Sequence, residues 1–172
     1  MGQRLFFALN INEATRGRIV AAADGLRMAP GRINWTSSQN LHVTMHFLGD
    51  VPNKRVAELC DLAGGALDAW DFGGDAVTFT VGQLICFPRG KQPRMIWAPV
   101  REGNDVLASL QATLNQAFQA EGWPGESRPF TGHVTVARIK DCDIKDAVAR
   151  LPDEDLGTVT ADELTLYESK LT

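Results

Sequence analysis

Cysteine is scarce in this chain of 172 residues, and the three present, Cys60, Cys86 and Cys142, are widely scattered. No pair has C-x-x-C spacing, so a zinc knuckle or a dithiol redox motif finds no support, and reduced thiols are expected. Positive charge is not in excess either: 17 Lys and Arg stand against 21 Asp and Glu, a formal net charge of −4. That argues against a surface coated in basic charge for tight binding to long duplex nucleic acid, while leaving room for one small anionic substrate in a local pocket. No apolar run approaches the ~20 residues of a membrane helix. The opening residues lack a basic region followed by a long apolar stretch, so no secretion signal is expected. Myristoylation after Met1-Gly2 wants Ser or Thr at position 6, which is Phe6. No glycine-rich dinucleotide fingerprint follows a strand, and the phosphate-loop pattern fails because Lys91 precedes Gln92. These absences leave a soluble, cytoplasmic protein, one domain over residues 1–172, with no partner chain and no membrane association expected.

What is present is ordinary globular composition, 44% hydrophobic and 22% charged. Arg4–Leu9 reads as a buried strand, and Asn12 caps a helix that carries Ile19, Val20, Ala23 and Leu26 on one side, through about Arg27. Ile33–Trp35 is a short extended piece, and Leu41–Leu48 a strand closed by Gly49-Asp50. A second helix opens at Pro52-Asn53 with Val56, Leu59, Cys60, Ala63 and Leu67 on its apolar side. After the turn at Asp71–Gly74, strands at Val77–Phe87 and Arg94–Val100 flank a Pro/Gly loop. A third helix follows Gly103 and buries Val106, Leu107, Leu110, Leu114, Ala117 and Phe118. A loop over Gly122–Gly132 leads to a strand at His133–Ile139, a short helix at Asp143–Leu151 capped by Asp143, and a last strand at Val159–Glu168. Helices interleaved with adjacent strands of two-residue period indicate α+β with antiparallel sheet.

The chemistry resides in the histidines. Only three occur, and two of them open near-duplicate tetrapeptides, His42-Val43-Thr44-Met45 and His133-Val134-Thr135-Val136. Strand side chains alternate faces, so His and Thr at i and i+2 share one face while the apolar residues point to the core. The copies begin 91 residues apart, at 42 and 133, near half the chain length, so two similar halves could present them across one cleft. One neutral and one protonated imidazole make a base and an acid on either side of a substrate. The hydroxyls of Thr44 and Thr135 can donate hydrogen bonds to anionic oxygens between them. That set suits displacement at phosphorus and calls for no metal. A single His-Val-Thr is weak as a signal; two copies consuming two of three histidines are specific.

Asn40–Gly49 and Phe130–Arg138, with these tetrapeptides inside them, resemble the two signature motifs of the 2H phosphoesterases. Within that group the chain is most similar to the bacterial and archaeal RNA 2′,3′-cyclic phosphodiesterases, also called 2′-5′ RNA ligases. Arg4–Leu9 and Leu166–Leu171 are similar to that branch too. The resemblance implies a bilobal α+β fold with pseudo-twofold duplication, two antiparallel sheets flanking a central cleft, and helices outside. It implies hydrolysis of an RNA-terminal 2′,3′-cyclic phosphate to a 2′-phosphomonoester without cofactor or metal, on RNA ends or small cyclic nucleotides, with the reverse 2′-5′ ligation as a companion activity. On the same ground His42 is the proton donor, His133 the proton acceptor, and Thr44 and Thr135 hold the phosphate; the symmetry of the motifs lets the acid and base labels be exchanged. Many members of the family have Pro where this chain has Gly132, which is expected to loosen the approach to His133. A non-catalytic RNA-end or nucleotide-binding module in the same cleft is the alternative from another class.

Four further readings are open. His46 shares strand parity with His42 and Thr44, which places it near the cleft rim; a metal reading would join His42, His46 and His133 with Asp50. Arg138 leaves the His/Thr face by parity unless the strand bends, and is a candidate for a phosphate or RNA-backbone contact. Arg89, Lys91 and Arg94 could steer an RNA end, or simply keep a hairpin loop soluble. Phe6, with the parity of Ala8, and Trp35 are candidates to stack on a base, against ordinary core packing for each.

Overall fold

The structure, a computed structural model, describes residues 2–71, 74–90 and 92–170. Nine strands, β1 (Gly2–Asn10), β2 (Arg32–Trp35), β3 (His42–Pro52), β4 (Val77–Gly82), β5 (Ile85–Phe87), β6 (Met95–Glu102), β7 (His133–Asp141), β8 (Asp155–Ala161) and β9 (Leu164–Glu168), alternate with four helices. These are α1 (Glu13–Asp24), α2 (Val56–Ala69), α3 (Asn104–Ala120) and α4 (Lys145–Ala149). The fold is α+β, and its strands form one path in the order β8-β4-β6-β7-β3-β1-β9, with β2 added to β7 and β5 to β6. Every pairing is antiparallel.

The order of elements repeats. Apart from β2, which lies between α1 and β3 and has no counterpart in the second half, a strand, a helix, a motif strand, a helix and two further strands run β1-α1-β3-α2-β4-β5, then β6-α3-β7-α4-β8-β9. The halves exchange their last strands: β9 lies against β1, and β5 against β6. The motif strands of the two halves are neighbours in the sheet, β3 touching β7 at the single register pair Val43↔Val134. Both valines are fully buried, so the junction of the halves is a dry contact between equivalent residues of the two tetrapeptides.

This architecture explains where the elements depart from the sequence expectations. Val77–Phe87 is not one strand: it breaks at Gln83-Leu84 so that β4 can pair with β8 and β6 while β5 follows β6. Residues 159–168 likewise divide at Asp162-Glu163, β8 serving β4 and β9 serving β1. Gly49 does not close β3. It takes φ +70° at a register shift, a conformation that glycine supplies at little cost, and the strand continues to Pro52. Asn12 caps α1 as expected, its side chain accepting from the Thr15 amide at 2.9 Å, but the helix ends at Asp24. On α2 the buried residues are Leu59, Ala63 and Ala66, whereas Cys60 and Leu67 are exposed. The α3 stripe centres on Leu107, Leu110, Leu114 and Phe118, with Val106 and Ala117 at its margins. Asp143 does not cap α4; Ile144 occupies that position with no side-chain bond. The turn expected at Asp71–Gly74 falls partly outside the described residues. Among the described residues no helix is long and apolar enough to cross a membrane.

Candidate active site

An antiparallel ladder with Val43 opposite Val134 sets His42 across from Thr135 and Thr44 across from His133. With both valines turned into the core, all four polar side chains emerge on the other face, around the point where the halves meet. His42, Thr44, His133 and Thr135 are each half-buried. Within β3, His42 Nε2 lies 3.1 Å from Thr44 Oγ1, the pairing that i, i+2 spacing predicts. The imidazoles are close enough that charge on His133 disfavours charge on His42.

Equivalent backbone acts on each ring. His133 Nδ1 donates to the Thr131 carbonyl at 2.7 Å, and the Asn40 backbone, likewise two residues upstream, favours the charged form of His42. A carbonyl only accepts, so Nδ1 of His133 keeps its hydrogen, and the lone pair of the neutral ring sits on Nε2, ready to take a proton. Burial lowers the pKa of both rings, with the upstream backbone opposing that shift; for His42 the neighbouring His133 lowers it further. Two such rings hold one proton between them more readily than two.

Aromatic rings back each imidazole. Phe6 of β1 stacks on His42 at 5.0 Å between centroids, and Tyr167 of β9 lies 5.6 Å from Phe6 and 5.9 Å from His42, so the three rings cluster. In the other half Trp97 of β6 lies face to face with His133 at 3.6 Å, and Phe87 of β5 covers Trp97 at 3.5 Å. Phe6 therefore faces the His42 side as its parity requires, but at 8% exposure its ring is taken up by His42, Tyr167 and Phe47. Trp35 points the other way: it pairs with Ala137, packs against the core, and has the Arg27 guanidinium 5.0 Å over its ring.

Beyond the threonines both motif strands bulge at the same place. Against β1, Phe7 pairs with His46 and Ala8 with Thr44, which leaves Met45 unpaired. Against β6, Ile96 pairs with Ala137 and Trp97 with Thr135, which leaves Val136 unpaired. One extra residue reverses the alternation of faces. This corrects two expectations. His46 is not at the cleft rim: it is 2% exposed, tilted on Phe118 at 4.8 Å, with Nε2 donating to the Pro124 carbonyl at 3.2 Å. The set of His42, His46, His133 and Asp50 considered for a metal therefore does not converge. Arg138, conversely, returns to the face of His133 and Thr135, since it pairs with Met95, which shares a face with Trp97. Phe47, the residue equivalent to Arg138, stands on that face too, 58% exposed and 5.4 Å from Phe6.

Gly132 is buried, and its amide donates to Asn104 Oδ1 at 2.7 Å while its carbonyl accepts from the Val100 amide at 2.8 Å. The loosening expected from glycine is met by a bond that proline, lacking the N–H, cannot make. Arg89 and Arg94 are exposed on the β5–β6 connection, and Lys91 lies outside the described residues. Sequence reasoning missed Trp97, Phe87, Tyr167 and Phe47. The spacing of 91 that relates His42 to His133 also relates Phe6 to Trp97 and Phe47 to Arg138, and applying it to the candidates Phe6 and Arg138 would have found two of the four.

A duplicated antiparallel fold that seats two His-x-Thr strands around one point is the architecture of a two-histidine phosphoesterase. The profile of the 2′-5′ RNA ligase superfamily matches residues 18–171, and the chain belongs to that superfamily. Relatives named RNA 2′,3′-cyclic phosphodiesterase include the Methanothermobacter thermautotrophicus protein, 27% identical over all of this chain and 92% of its own length. The Escherichia coli one is 28% identical over 97% of this chain and 87% of its own length. Among solved structures, E. coli LigT complexed with 3′-AMP superposes with a TM-score of 0.75 at 27% identity, covering 100% of this chain and 91% of LigT. TT0787 of Thermus thermophilus also scores 0.75, at 26% identity over 98% of this chain and 90% of that one. The chain is thus an enzyme of the phosphodiesterase class.

Proposed function

We propose that this enzyme opens a 2′,3′-cyclic phosphate at the end of an RNA and leaves a 2′-phosphomonoester. The observation that carries the reading is the Val43↔Val134 junction, which sets two imidazoles and two hydroxyls around one point. The relatives named RNA 2′,3′-cyclic phosphodiesterase support the substrate, as do the E. coli LigT structures with 3′-AMP and with phosphate. In this reaction water oxygen bonds to phosphorus as the P–O3′ bond breaks. His133, its Nδ1–H committed to Thr131, takes the water proton on Nε2. The face of Trp97 steadies the imidazolium that forms. His42, in its protonated form, delivers a proton to the departing 3′ oxygen, and Thr44 and Thr135 donate to the non-bridging oxygens. Geometry treats the two histidines alike, and the family resemblance assigns donor to His42 and acceptor to His133. Arg138, on the same face, supplies positive charge for the phosphate or the strand behind it. Phe6 serves as the backing of His42 more than as a platform for a base.

The scheme uses no metal, so chelator leaves turnover unchanged. An oligonucleotide ending in 2′,3′-cyclic phosphate, incubated with the pure protein, is expected to yield the 2′-monoester. A 3′-monoester, or no turnover, would overturn the proposal. The superfamily name favours a companion reading, the joining of RNA ends through a 2′-5′ linkage, in which a 5′-hydroxyl replaces water: its oxygen bonds to phosphorus as the P–O3′ bond breaks, its proton passes to the base and the 3′ oxygen takes one from the acid. It is tested by adding a 5′-hydroxyl strand and looking for the longer product.

A further inference from the structure

We propose that the β2–β7 ladder is a track for the RNA strand upstream of the cyclic phosphate, with Arg32 and Asn34 of β2 as its distal contacts. This inference rests on the reaction proposed above and extends it from the terminal phosphate to the length of strand that the enzyme grips.

Register places the track. β2 lies along the same edge of β7 as β3 and continues it: Val43 pairs with Val134, the Thr36 amide donates to the Val136 carbonyl at 2.9 Å, and Asn34 pairs with Arg138. Ile33 and Trp35 pack against the core, so the alternate residues Arg32 and Asn34 project to the opposite face, where both are exposed. That is the face of Arg138 and of the four motif side chains. Arg138 lies three residues beyond Thr135 on β7, and Arg32 sits across from Asp141, three residues further. Each interval contains one bulged residue, Val136 and then Lys140, so along the partner strands β6 and β2 it spans only two residues, and at roughly 3.3 Å per residue the two positions are about 7 and 13 Å along the strand from Thr135. A mononucleotide held at Thr44 and Thr135 does not reach the second of them; a strand does.

The distribution of charge points the same way. Elsewhere the arginines are mostly neutralised: Arg16 pairs with Glu13, Arg27 with Asp24, Arg55 with Glu58, and Arg101 with Asp153 and Asp155. Among the described residues Arg4, Arg18, Lys54 and Arg150 also form no ion pair, but each stands on a different element, whereas Arg32, Arg89, Arg94, Arg138 and Lys140, likewise without one, lie together, and Asp141 makes none with Arg32 although the ladder sets them opposite. All five belong to one corner. The Ile139 amide donates to the Arg94 carbonyl at 2.8 Å, which brings the β5–β6 connection with Arg89 beside β7. A chain of net charge −4 thus gathers unpaired cations on the continuation of its catalytic face. Such an arrangement attracts a polyanion along one path without coating the whole surface. Asn34, between the two arginines, offers an amide donor to a phosphate or ribose oxygen.

The test compares 2′,3′-cyclic AMP with a hexanucleotide ending in 2′,3′-cyclic phosphate. The wild-type protein is expected to show a lower KM for the hexamer. Arg32→Ala should raise the hexamer KM about fivefold to tenfold and flatten its log KM against log salt dependence by about 0.7, the share of one single-strand phosphate contact. Turnover of the mononucleotide, which does not extend to Arg32, should stay within about twofold. Arg32→Lys should keep most of the hexamer affinity, and Lys54→Ala, which removes a cation at the far end of β3, should change neither substrate. Equal effects of Arg32→Ala on both substrates, or none on either, would overturn the track. If wild-type protein hydrolyses neither substrate, the proposed reaction fails by itself. Fluorescence anisotropy of a labelled hexamer ending in 2′-phosphate then still decides the track, since wild type and Arg32→Ala with the same Kd would refute it.

Discussion

The two motif strands match in the imidazole and hydroxyl they set on one face and differ in what stands beyond them. His42 and His133 have the same upstream backbone contact, the same neighbouring threonine and the same bulge one residue later. Past the bulge β3 presents an exposed phenyl ring, Phe47, where β7 presents a guanidinium, Arg138. Behind the imidazoles the stacks differ as well: Phe6 lies 5.0 Å from His42, whereas Trp97 presses face to face on His133 at 3.6 Å. Acid–base chemistry at one phosphorus needs a symmetric pair, but a nucleic acid strand has a direction. In the proposed reaction the duplicated motifs would serve the first need and the differing flanks the second.

Breaking either half at its histidine gives the largest expected effect. His42→Ala and His133→Ala should each lower kcat by about 10²–10⁴-fold, with the thermal midpoint nearly unchanged because both rings are half-buried rather than core. One variant retaining full rate would show that the halves are not partners. Thr44→Ala and Thr135→Ala should cost about 10²–10³-fold in kcat. The larger loss identifies the motif that bears more of the developing charge.

The pH profile sharpens the contrast between the stacks. Burial lowers both imidazoles from the usual 6.5 or so, so the bell-shaped profile should lie toward acid. Falling pH protonates the base, and rising pH strips the acid. Trp97→Leu removes the ring face that steadies an imidazolium, so the limb due to His133 should move to lower pH. An unmoved limb in kinetics, or by NMR titration, would show that the stack packs the ring without tuning it. Next come the flanks: Arg138→Ala should raise KM severalfold and flatten its salt dependence, while Phe47→Ala should leave the salt slope as it is. The same slope change in both variants would erase the difference between the two flanks.

The smallest effect concerns stability. Burial lowers the pKa of His46, against the Pro124 carbonyl and the charge of Glu126. The folded state therefore binds this proton less readily than the unfolded chain. That contribution to stability is whole above the unfolded value near 6.5 and is lost as pH falls through that value toward the folded one. Denaturant melts should accordingly weaken on acidification. His46→Gln should lessen that acid sensitivity, at a cost of about 1–3 kcal/mol at neutral pH for the ring packed on Phe118. Unchanged acid sensitivity in the variant would assign it to His42 and His133 instead.

Much of the fold was legible because local rules act locally. Period-two alternation marked the motif strands, the Asn12 cap and the Leu107–Phe118 stripe marked α1 and α3, and the paired tetrapeptides marked the site. Legibility failed where one residue changed the parity of a strand. Nothing in Met45 or Val136 announces a bulge; each is unpaired because its neighbouring strand, β1 or β6, keeps an unbroken ladder on either side of it. Hence His46, read as a rim residue, is in the core, and Arg138 is on the face of His133 and Thr135. The breaks at Gln83-Leu84 and Asp162-Glu163 were hidden for a similar reason: an apolar run does not say that its two ends must pair with different strands.

The amino-acid sequence by itself determined which residues carry protons and hydroxyls, that they come in two equivalent sets, and that each set shares a face, because side-chain chemistry and strand alternation are properties of a few consecutive residues. Only the tertiary structure decided that the sets meet at Val43 and Val134, which aromatic ring backs each imidazole, and which cations continue the face of the two sets. Those outcomes depend on strands distant in the chain, and on registers that a single bulged residue resets.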